Sequence, residues 1–379
     1  MSDSKVTTTA SALWAMHDQK EFTEDVEAHY KTMLNYLDIL NYMNANIEDE
    51  PVAARHIVAF MAYAMPSLAY VDPSRTREIS YNLHLVCRNI KSPLLVKQAH
   101  VFNADNVLLV EEAIACGLYR LVSGRELYAE DFHGYAQRIY DRIRANGTSS
   151  QNIWAIDTIS GRYEVYPNVT ALMALELHDR FYGTKYGDEM KSKLLGFIQE
   201  HLLDKETGLY YEYFQTGVLG YANETVRPES FWHTTQLKAS INGLALAFLH
   251  YYLPEETEKS WKNYKAMFRD ELLALDVETL SRTGSSYQTQ LAYGSEDISC
   301  ALLAAREFDD PEFFDLIQSK VLTDGDAQLS EGHIYYPAFG DLQHLISHFL
   351  LFARTHTPWK ILFSHPWEQF YGMDYNKVR

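Results

Sequence analysis

The chain contains few cysteines and few basic residues for its length. Only three cysteines, Cys87, Cys116 and Cys300, occur among 379 residues, and no two of them form a Cys-x-x-Cys pair. An odd number at wide spacing argues against a disulfide framework and a zinc site, and it favours a reducing compartment. Lysine and arginine number 33 against 51 acidic residues, so the formal net charge is −18. Such a charge repels phosphate backbones and anionic lipid surfaces, so nucleic acids and membranes are not expected partners.

Long hydrophobic runs and cofactor motifs are also missing. No apolar run approaches the roughly 18 residues that a membrane span needs, and residues 1–20 lack the apolar core of a secretory signal. We therefore expect a cytoplasmic protein. The sequence contains no GxSxG, no Walker loop, no EF-hand and no GxGxxG within a Rossmann pattern. These absences predict chemistry on a small molecule without a metal or an organic cofactor.

The sequence does contain a recurring pattern of apolar helical stretches. Six stretches are apolar all round, and each follows a polar or aromatic loop, which is typical of helices that are buried on every side. They are Ala54–Met65, Asp105–Val122, Asn168–Tyr182, Thr234–Tyr252, Ser295–Phe308 and Asp341–Arg354. Amphipathic helices lie between them, including Arg75–Ile90, Tyr135–Arg144, Asp188–Leu203 and Glu258–Leu273.

This alternation predicts an all-α fold, the (α/α)6 toroid, whose inner helices begin around a common mouth. A generic two-layer helical bundle is the alternative. Three aromatic, β-like runs are expected to form short hairpin flaps on one rim: Arg162–Tyr166, Leu209–Phe214 and His333–Tyr336. No stretch has the composition of a linker, so residues 21–379 are expected to form one domain after a loose N-terminal arm at residues 1–20.

Polar and aromatic residues near the starts of the inner helices are the candidate functional residues. Helix N-termini present free N–H groups and a partial positive charge, and acid–base catalysis needs two carboxyls in different environments. The candidates for catalysis are Glu111, Glu112, Asp157, Glu164 and His233. The candidates for substrate binding are Trp154, Tyr166, Asn168, Trp232, Tyr287, Glu296, Asp297, His333 and Tyr335.

Each candidate also has a structural interpretation. Glu111 and Glu112 interrupt an apolar helix, so at least one should be buried with a raised pKa, which suits a general acid. The alternative is a glutamate that bonds a neighbouring helix or points outward. The helix dipole alone explains acids in a first turn, such as Asp297. The pair His344 and His348 has no obvious third ligand, so no metal site is predicted.

Three further stretches have a recognisable pattern: Ile57–Ala64 with the amphipathic helix after it, Asp105–Gly124 with its Gly-Leu-Tyr, and Val165–Asp179 with its Leu-His-Asp. Together they resemble the linalool dehydratase/isomerase-like family. The resemblance implies an (α/α)6 barrel that acts on small apolar alcohols by cofactor-free acid–base chemistry. The family's cysteine pair is absent, because residues 151–179 contain no cysteine, and its histidine of the second inner helix falls on Glu111 or Glu112. The resemblance therefore predicts the fold of this chain better than it predicts the reaction.

The favoured hypothesis is a cofactor-independent lyase, isomerase or cyclase for a small apolar or amphipathic metabolite, such as a terpenoid. Glu111 or Glu112 would be its general acid, and Asp157 or Glu164 its base. The first alternative is a carbohydrate-active glycosidase, lyase or epimerase with paired carboxylates. The second is a small-molecule-binding or accessory protein without turnover. The substrate, the stereochemical course and a homo-oligomeric state stay open.

Overall fold

The described part of the chain is mostly helical. The computed structural model describes residues 24–43, 53–92, 105–158, 161–216, 231–233, 237–275, 295–338 and 350–371. The helices are α1 (Glu24–Met43), α2 (Ala53–Val71), α3 (Thr76–Ile90), α4 (Asp105–Ser123), α5 (Ala129–Thr148), α6 (Val165–Tyr182), α7 (Tyr186–Phe197), α8 (Ala239–Leu249), α9 (Pro254–Ala274), α10 (Ser295–Glu307), α11 (Pro311–Asp324) and α12 (Trp359–Ser364). Residues 350–355 are also helical. The strands are β1 (Arg162–Tyr163), β2 (Phe214–Thr216), β3 (Phe231–His233), β4 (Gln328–Ser330) and β5 (His333–Tyr335).

Two kinds of helix alternate along the chain. The even-numbered helices from α2 to α10 form the inner layer, where α4 and α6 are buried almost throughout, and the odd-numbered helices bury one face. Successive inner helices pack against one another, and each also packs against an outer neighbour. This is the alternation that the sequence predicts, and the (α/α)6 fold class is confirmed. None of the described helices is long and apolar enough to cross a membrane.

Glycine allows two of the inner helices to approach closely. A Cβ atom built on Gly243 of α8 would lie 2.7 Å from the backbone oxygen of Cys300 in α10. Real Cβ atoms do not come so near a backbone atom, so a larger residue would push the two helices apart. The inner ring is therefore closely packed between its fourth and fifth helices.

Several predicted boundaries change in the structure. Helix α6 begins at Val165 rather than Asn168, and α8 begins at Ala239 rather than Thr234. The predicted helix starts at Thr234 and Asp341, like the predicted arm at residues 1–20, lie outside the described residues. The domain organisation stays a prediction.

The predicted flaps belong to two separate sheets. Strands β1, β2 and β3 form one antiparallel sheet in that order, with Arg162 opposite Gln215 and Phe214 opposite His233. Strands β4 and β5 form a hairpin against α1, where the Thr32 hydroxyl donates to the Ile334 carbonyl at 3.2 Å. The first sheet lies next to the starts of α6 and α8, so it is the one that shapes the mouth.

Candidate active site

The segments that lead into α6 and α8 meet in the three-stranded sheet. Strand β1 is followed by Glu164, the N-cap of α6, and Lys238 is the N-cap of α8. Strand β2 follows Glu212 and Tyr213 and pairs with β1. Antiparallel pairing therefore brings together two charged segments that are distant in sequence.

A single buried guanidinium links two carboxylates at this place. Arg162 Nε lies 2.6 Å from Glu164 Oε1, and Arg162 Nη2 lies 3.6 Å from Glu212 Oε1. Lys238 Nζ lies 3.0 Å from the other Glu212 oxygen, and the guanidinium stacks 3.9 Å above the Tyr213 ring. The side chains of Glu164 and Glu212 stay 26% and 17% exposed. Because both contact one guanidinium, the two carboxylates lie within about 10 Å of each other, and this upper limit is close to the largest carboxylate separation in glycosidases.

Asp157 fastens the loop before this cluster. Its two carboxylate oxygens each accept a hydrogen bond at 2.9 Å from Arg142 of the outer helix α5. Asn106, in the first turn of α4, donates to the Asp157 backbone oxygen at 2.9 Å. The hydrogen bond to Asp157 raises the pKa of Arg142. This geometry ties Asp157 to two helices and holds the loop in front of β1.

Trp154 and Asn168, both predicted to bind substrate, also serve the framework. A Cβ on Gly147 of α5 would lie 2.2 Å from the Trp154 ring, and Lys193 Nζ of α7 lies 3.9 Å from that ring. Trp154 thus belongs to the outer layer. Asn168 is fully buried, and its amide bonds the backbone of the loop in front of α6.

Glu112 lies between helices of the two layers and away from the mouth. Burial raises its pKa to about 7, as the sequence predicts for a buried carboxyl, while Lys91 and Arg138 oppose the rise. Tyr135 donates a hydrogen bond to it. Arg138 and Tyr135 belong to the outer helix α5, and Lys91 follows the outer helix α3. Glu112 therefore does not join Glu164.

Aromatic side chains fill the barrel below the mouth. Tyr166, which is partly exposed, stacks on Phe60 at an interplanar angle of 13° and donates a hydrogen bond to the Tyr63 hydroxyl at 2.9 Å. Burial, and then the nearby charge of Glu111, raise the pKa of Tyr63. Glu111 is itself almost completely buried. The site thus has an aromatic floor, and Glu111 lies near Tyr63 of this floor.

Of the remaining predicted residues, Asp297 of α10 lies at the start of α8 near the mouth, whereas His333 and Tyr335 lie in the separate β4–β5 hairpin. Asp297 Oδ1 accepts a hydrogen bond at 2.6 Å from the backbone N–H of Ser240 in the first turn of α8, which fits the dipole interpretation. His333 contacts Asn35 of α1 at 3.4 Å, and Tyr335 lies exposed in the same hairpin. The side chains of Trp232, His233 and Glu296, and the whole of Tyr287, lie outside the described parts of the structure.

Glu212 and Tyr213 lie at the centre of the cluster, and neither is among the residues predicted from the sequence. Both are in the run Leu209–Phe214 that was predicted as a flap, between aromatic residues. A charged residue in an otherwise aromatic strand was the available signal. Its partner Arg162 could be identified only from the register of β1 against β2.

Several solved structures are similar to this chain. One is the GH76A α-1,6-mannanase from Salegentibacter sp. HEL1_6, with 12% identity, coverage of 86% of this chain and 98% of that chain, and a TM-score of 0.51. Another is a family 76 glycoside hydrolase from a bovine Bacteroides thetaiotaomicron strain, with 8% identity, coverage of 81% and 68%, and a TM-score of 0.46. A comparison with known protein families finds none that matches. At these identities the likeness shows the (α/α)6 fold alone.

The resemblance to the linalool dehydratase/isomerase-like family is wrong, because no family model matches the chain and the similar Salegentibacter structure is a GH76A α-1,6-mannanase. The favoured hypothesis of a terpenoid lyase, isomerase or cyclase fails on the same finding. The motifs behind the resemblance lie where helices pack or end. Gly117 is packed against Leu177 and Phe132, and Asp179 accepts hydrogen bonds from the backbone N–H groups of Tyr186 and Gly187 at the start of α7. Such features serve the barrel scaffold and carry little information about the reaction.

Proposed function

We propose that this protein is a carbohydrate-active enzyme that hydrolyses glycosidic bonds. The observation that carries the proposal is the carboxylate pair Glu164 and Glu212 on the guanidinium of Arg162. Glycosidases use two carboxyls that flank the scissile bond, one as the acid and the other as the base or nucleophile. The fold supports the proposal, since the similar Salegentibacter structure is an α-1,6-mannanase. A hydrolase replaces the predicted lyase or isomerase.

The contacts of the two carboxylates suggest separate roles for them. Glu212 contacts both Lys238 and Arg162, one with each oxygen, whereas Glu164 contacts Arg162 through one oxygen. The residue that attacks, or that activates water, must carry the negative charge, so we assign this role to Glu212. Glu164 is then the acid that protonates the leaving group.

The substrate we propose is an oligosaccharide that rests on the aromatic floor. Tyr166, two residues after Glu164, is partly exposed and contributes to this floor, and an aromatic ring suits the apolar face of a sugar. Acidic side chains close to that ring can accept hydrogen bonds from sugar hydroxyls. The linkage to test first is α-1,6-mannosyl, on which the similar structure acts according to its name.

The test is an assay of released reducing ends with α-1,6-linked mannooligosaccharides and a panel of other neutral glycans. Glu164→Gln and Glu212→Gln should each lower kcat/KM by about 10²–10⁴-fold, the usual contribution of a general acid or base. Glu258→Gln, an exposed position on outer helix α9, is the matched control and should keep wild-type activity. Wild-type turnover in both site variants would refute the assignment, and a wild type that cleaves no glycan would refute the function.

A further inference from the structure

The third and fourth inner helices carry the same buried side chain at the same place. Asn168 is the fourth residue of α6, and Asn242 is the fourth residue of α8. Both are fully buried. The fourth residues of the inner helices α2, α4 and α10 are His56, Leu108 and Ile298. Among the inner helices whose starts are described, asparagine thus occupies this position only in the two that follow the charged segments.

Each asparagine makes the same three hydrogen bonds. The Ile156 N–H donates to Asn168 Oδ1 at 2.8 Å, and Asn168 Nδ2 donates to the Ile156 oxygen at 3.0 Å and the Glu164 oxygen at 2.8 Å. In the second set, the Tyr210 N–H donates to Asn242 Oδ1 at 2.6 Å. Asn242 Nδ2 donates to the backbone oxygens of Tyr210 and Lys238, both at 3.0 Å.

A carboxamide is the side chain that fits this task. Buried backbone N–H and C=O groups need partners, and here three such groups converge, one donor and two acceptors. Asparagine offers a carbonyl oxygen and two N–H groups, which match them one for one. Aspartate keeps the acceptor and loses both donors. We call each set of three hydrogen bonds an asparagine clamp.

The clamped backbone is the part of the mouth that carries the charged cluster. Asp157 directly follows Ile156, and Glu212 comes two residues after Tyr210. The third bond of each clamp holds the N-cap residue, which is Glu164 in one clamp and Lys238 in the other. Each clamp therefore fixes both ends of the segment that supplies one carboxylate.

We propose that Asn168 and Asn242 are positioning residues, each of which holds one of the two segments so that Glu164 and Glu212 meet on Arg162. The catalytic consequence of this positioning rests on the proposed function, whereas the clamping of the two segments does not depend on it. The two clamps act on different segments, so they should fail separately. This separate failure distinguishes positioning from a general loss of stability.

Hydrogen exchange on the full chain, followed by mass spectrometry, tests the clamps without any substrate. Asn168→Asp should speed exchange about tenfold in peptides over residues 153–158 and leave residues 203–216 within about twofold of wild type, because one set of buried hydrogen bonds is lost. Asn242→Asp should give the reverse pattern, so each variant is the control for the other. Equal acceleration of both segments, or of neither, would overturn the proposal. If an aspartate variant does not fold, Asn168→Ser and Asn242→Ser provide the same comparison.

Kinetics on any glycan that the wild type cleaves test the consequence. Each folded aspartate variant should lower kcat about tenfold or more with a much smaller change in KM, because misplacement of a catalytic group mainly affects the chemical step. A purely structural residue would change the unfolding midpoint and leave kcat per folded molecule unchanged, and that result would overturn the positioning role. A wild type without glycan hydrolysis would refute the proposed function, and the exchange pattern would still decide whether the clamps hold their segments.

Discussion

The mouth and the base of the barrel both contain buried charge, and they handle it differently. At the mouth, where inner helices begin, Glu164 and Glu212 share one guanidinium and keep part of their surface open. At the base, where inner helices end, Glu307 is the last residue of α10 and its side chain is only 2% exposed. The difference suggests that the mouth keeps its carboxylates available for chemistry, whereas the base uses its carboxylate to hold helices together.

The base holds its helix ends together by surrounding one carboxylate with hydrogen-bond donors from neighbouring helix ends. His250, at the end of α8, lies 3.1 Å from Glu307 Oε1, and His356, after the helical segment 350–355, lies 2.6 Å from Oε2. The backbone N–H of Trp359 donates to Oε2 at 3.3 Å. Burial alone would raise the pKa of Glu307, but the hydrogen bonds from the two imidazoles lower it. A carboxylate among helix C-termini is unfavourable without such partners.

The largest effect should come from removal of the charge at the base. Glu307→Gln should lower the free energy of unfolding by about 3–5 kcal/mol, because it removes the charge of a buried ionic network and replaces one of the two acceptor oxygens with an NH2 group. Urea denaturation measures this loss. Glu258→Gln on the outer surface is the control and should change stability by less than about 0.5 kcal/mol. If the Glu307→Gln protein were as stable as wild type, the base would not use its carboxylate to hold helices together, and the contrast with the mouth would be wrong.

A second prediction concerns pH and another buried group at the end of an inner helix, His178. Burial, and then the neighbouring His133, lower the pKa of His178 to about 4. The unfolded chain binds this proton near pH 6.5, so stability should fall as the pH falls from about 6.5 to about 4. We expect a loss of about 1–3 kcal/mol over this range that His178→Gln removes. The measurement is urea unfolding at a series of pH values.

His333→Gln, in the β4–β5 hairpin against α1, is the control for the pH experiment and should keep the wild-type slope. If His178→Gln and wild type lose stability in parallel, His178 does not contribute to the acid sensitivity of the fold.

A third prediction tests how tightly the inner ring is packed near the mouth. Gly243→Ala should cost about 1–3 kcal/mol, because the added methyl group meets the backbone of Cys300 and must push α8 from α10. Gly196→Ala in α7, where the new Cβ would point into open space, is the matched control. It should be neutral or stabilising by up to about 1 kcal/mol, since alanine favours helix. If the two substitutions changed the free energy of unfolding equally, the contact between α8 and α10 would be able to relax around the added methyl group.

The smallest effect on stability should come from the mouth itself. Glu164→Gln should change the unfolding free energy by no more than about 1 kcal/mol, because the partly exposed ion pair is screened by solvent. The same variant should lose activity if the proposed function is correct. A stability loss as large as that of Glu307→Gln would mean that Glu164 is also a structural residue, and the contrast between the two ends would disappear.

The sequence predicted the layers of the barrel much better than its site. Helix α4 is apolar on every side, and this local pattern alone assigns it to the inner layer. The sequence pattern places Asn168 at the start of the third inner helix and among the candidates for substrate binding. In the structure it lies inside α6 and bonds Ile156, 12 residues away, while the equivalent bond of Asn242 spans 32 residues. A local pattern does not contain such partners.

The sequence by itself determined which helices are buried and that basic residues are scarce, since both follow from the order and kind of residues. Helical geometry also requires that Glu111 and Glu112 point about 100° apart. Only the packing of the neighbouring helices decided that Glu112 lies among outer-layer residues and that Glu111 lies near Tyr63. Likewise, only the pairing of β1 with β2 brought Glu164 and Glu212 onto Arg162. The physical reason is that such contacts depend on the relative positions of distant elements, and no single stretch of sequence specifies them.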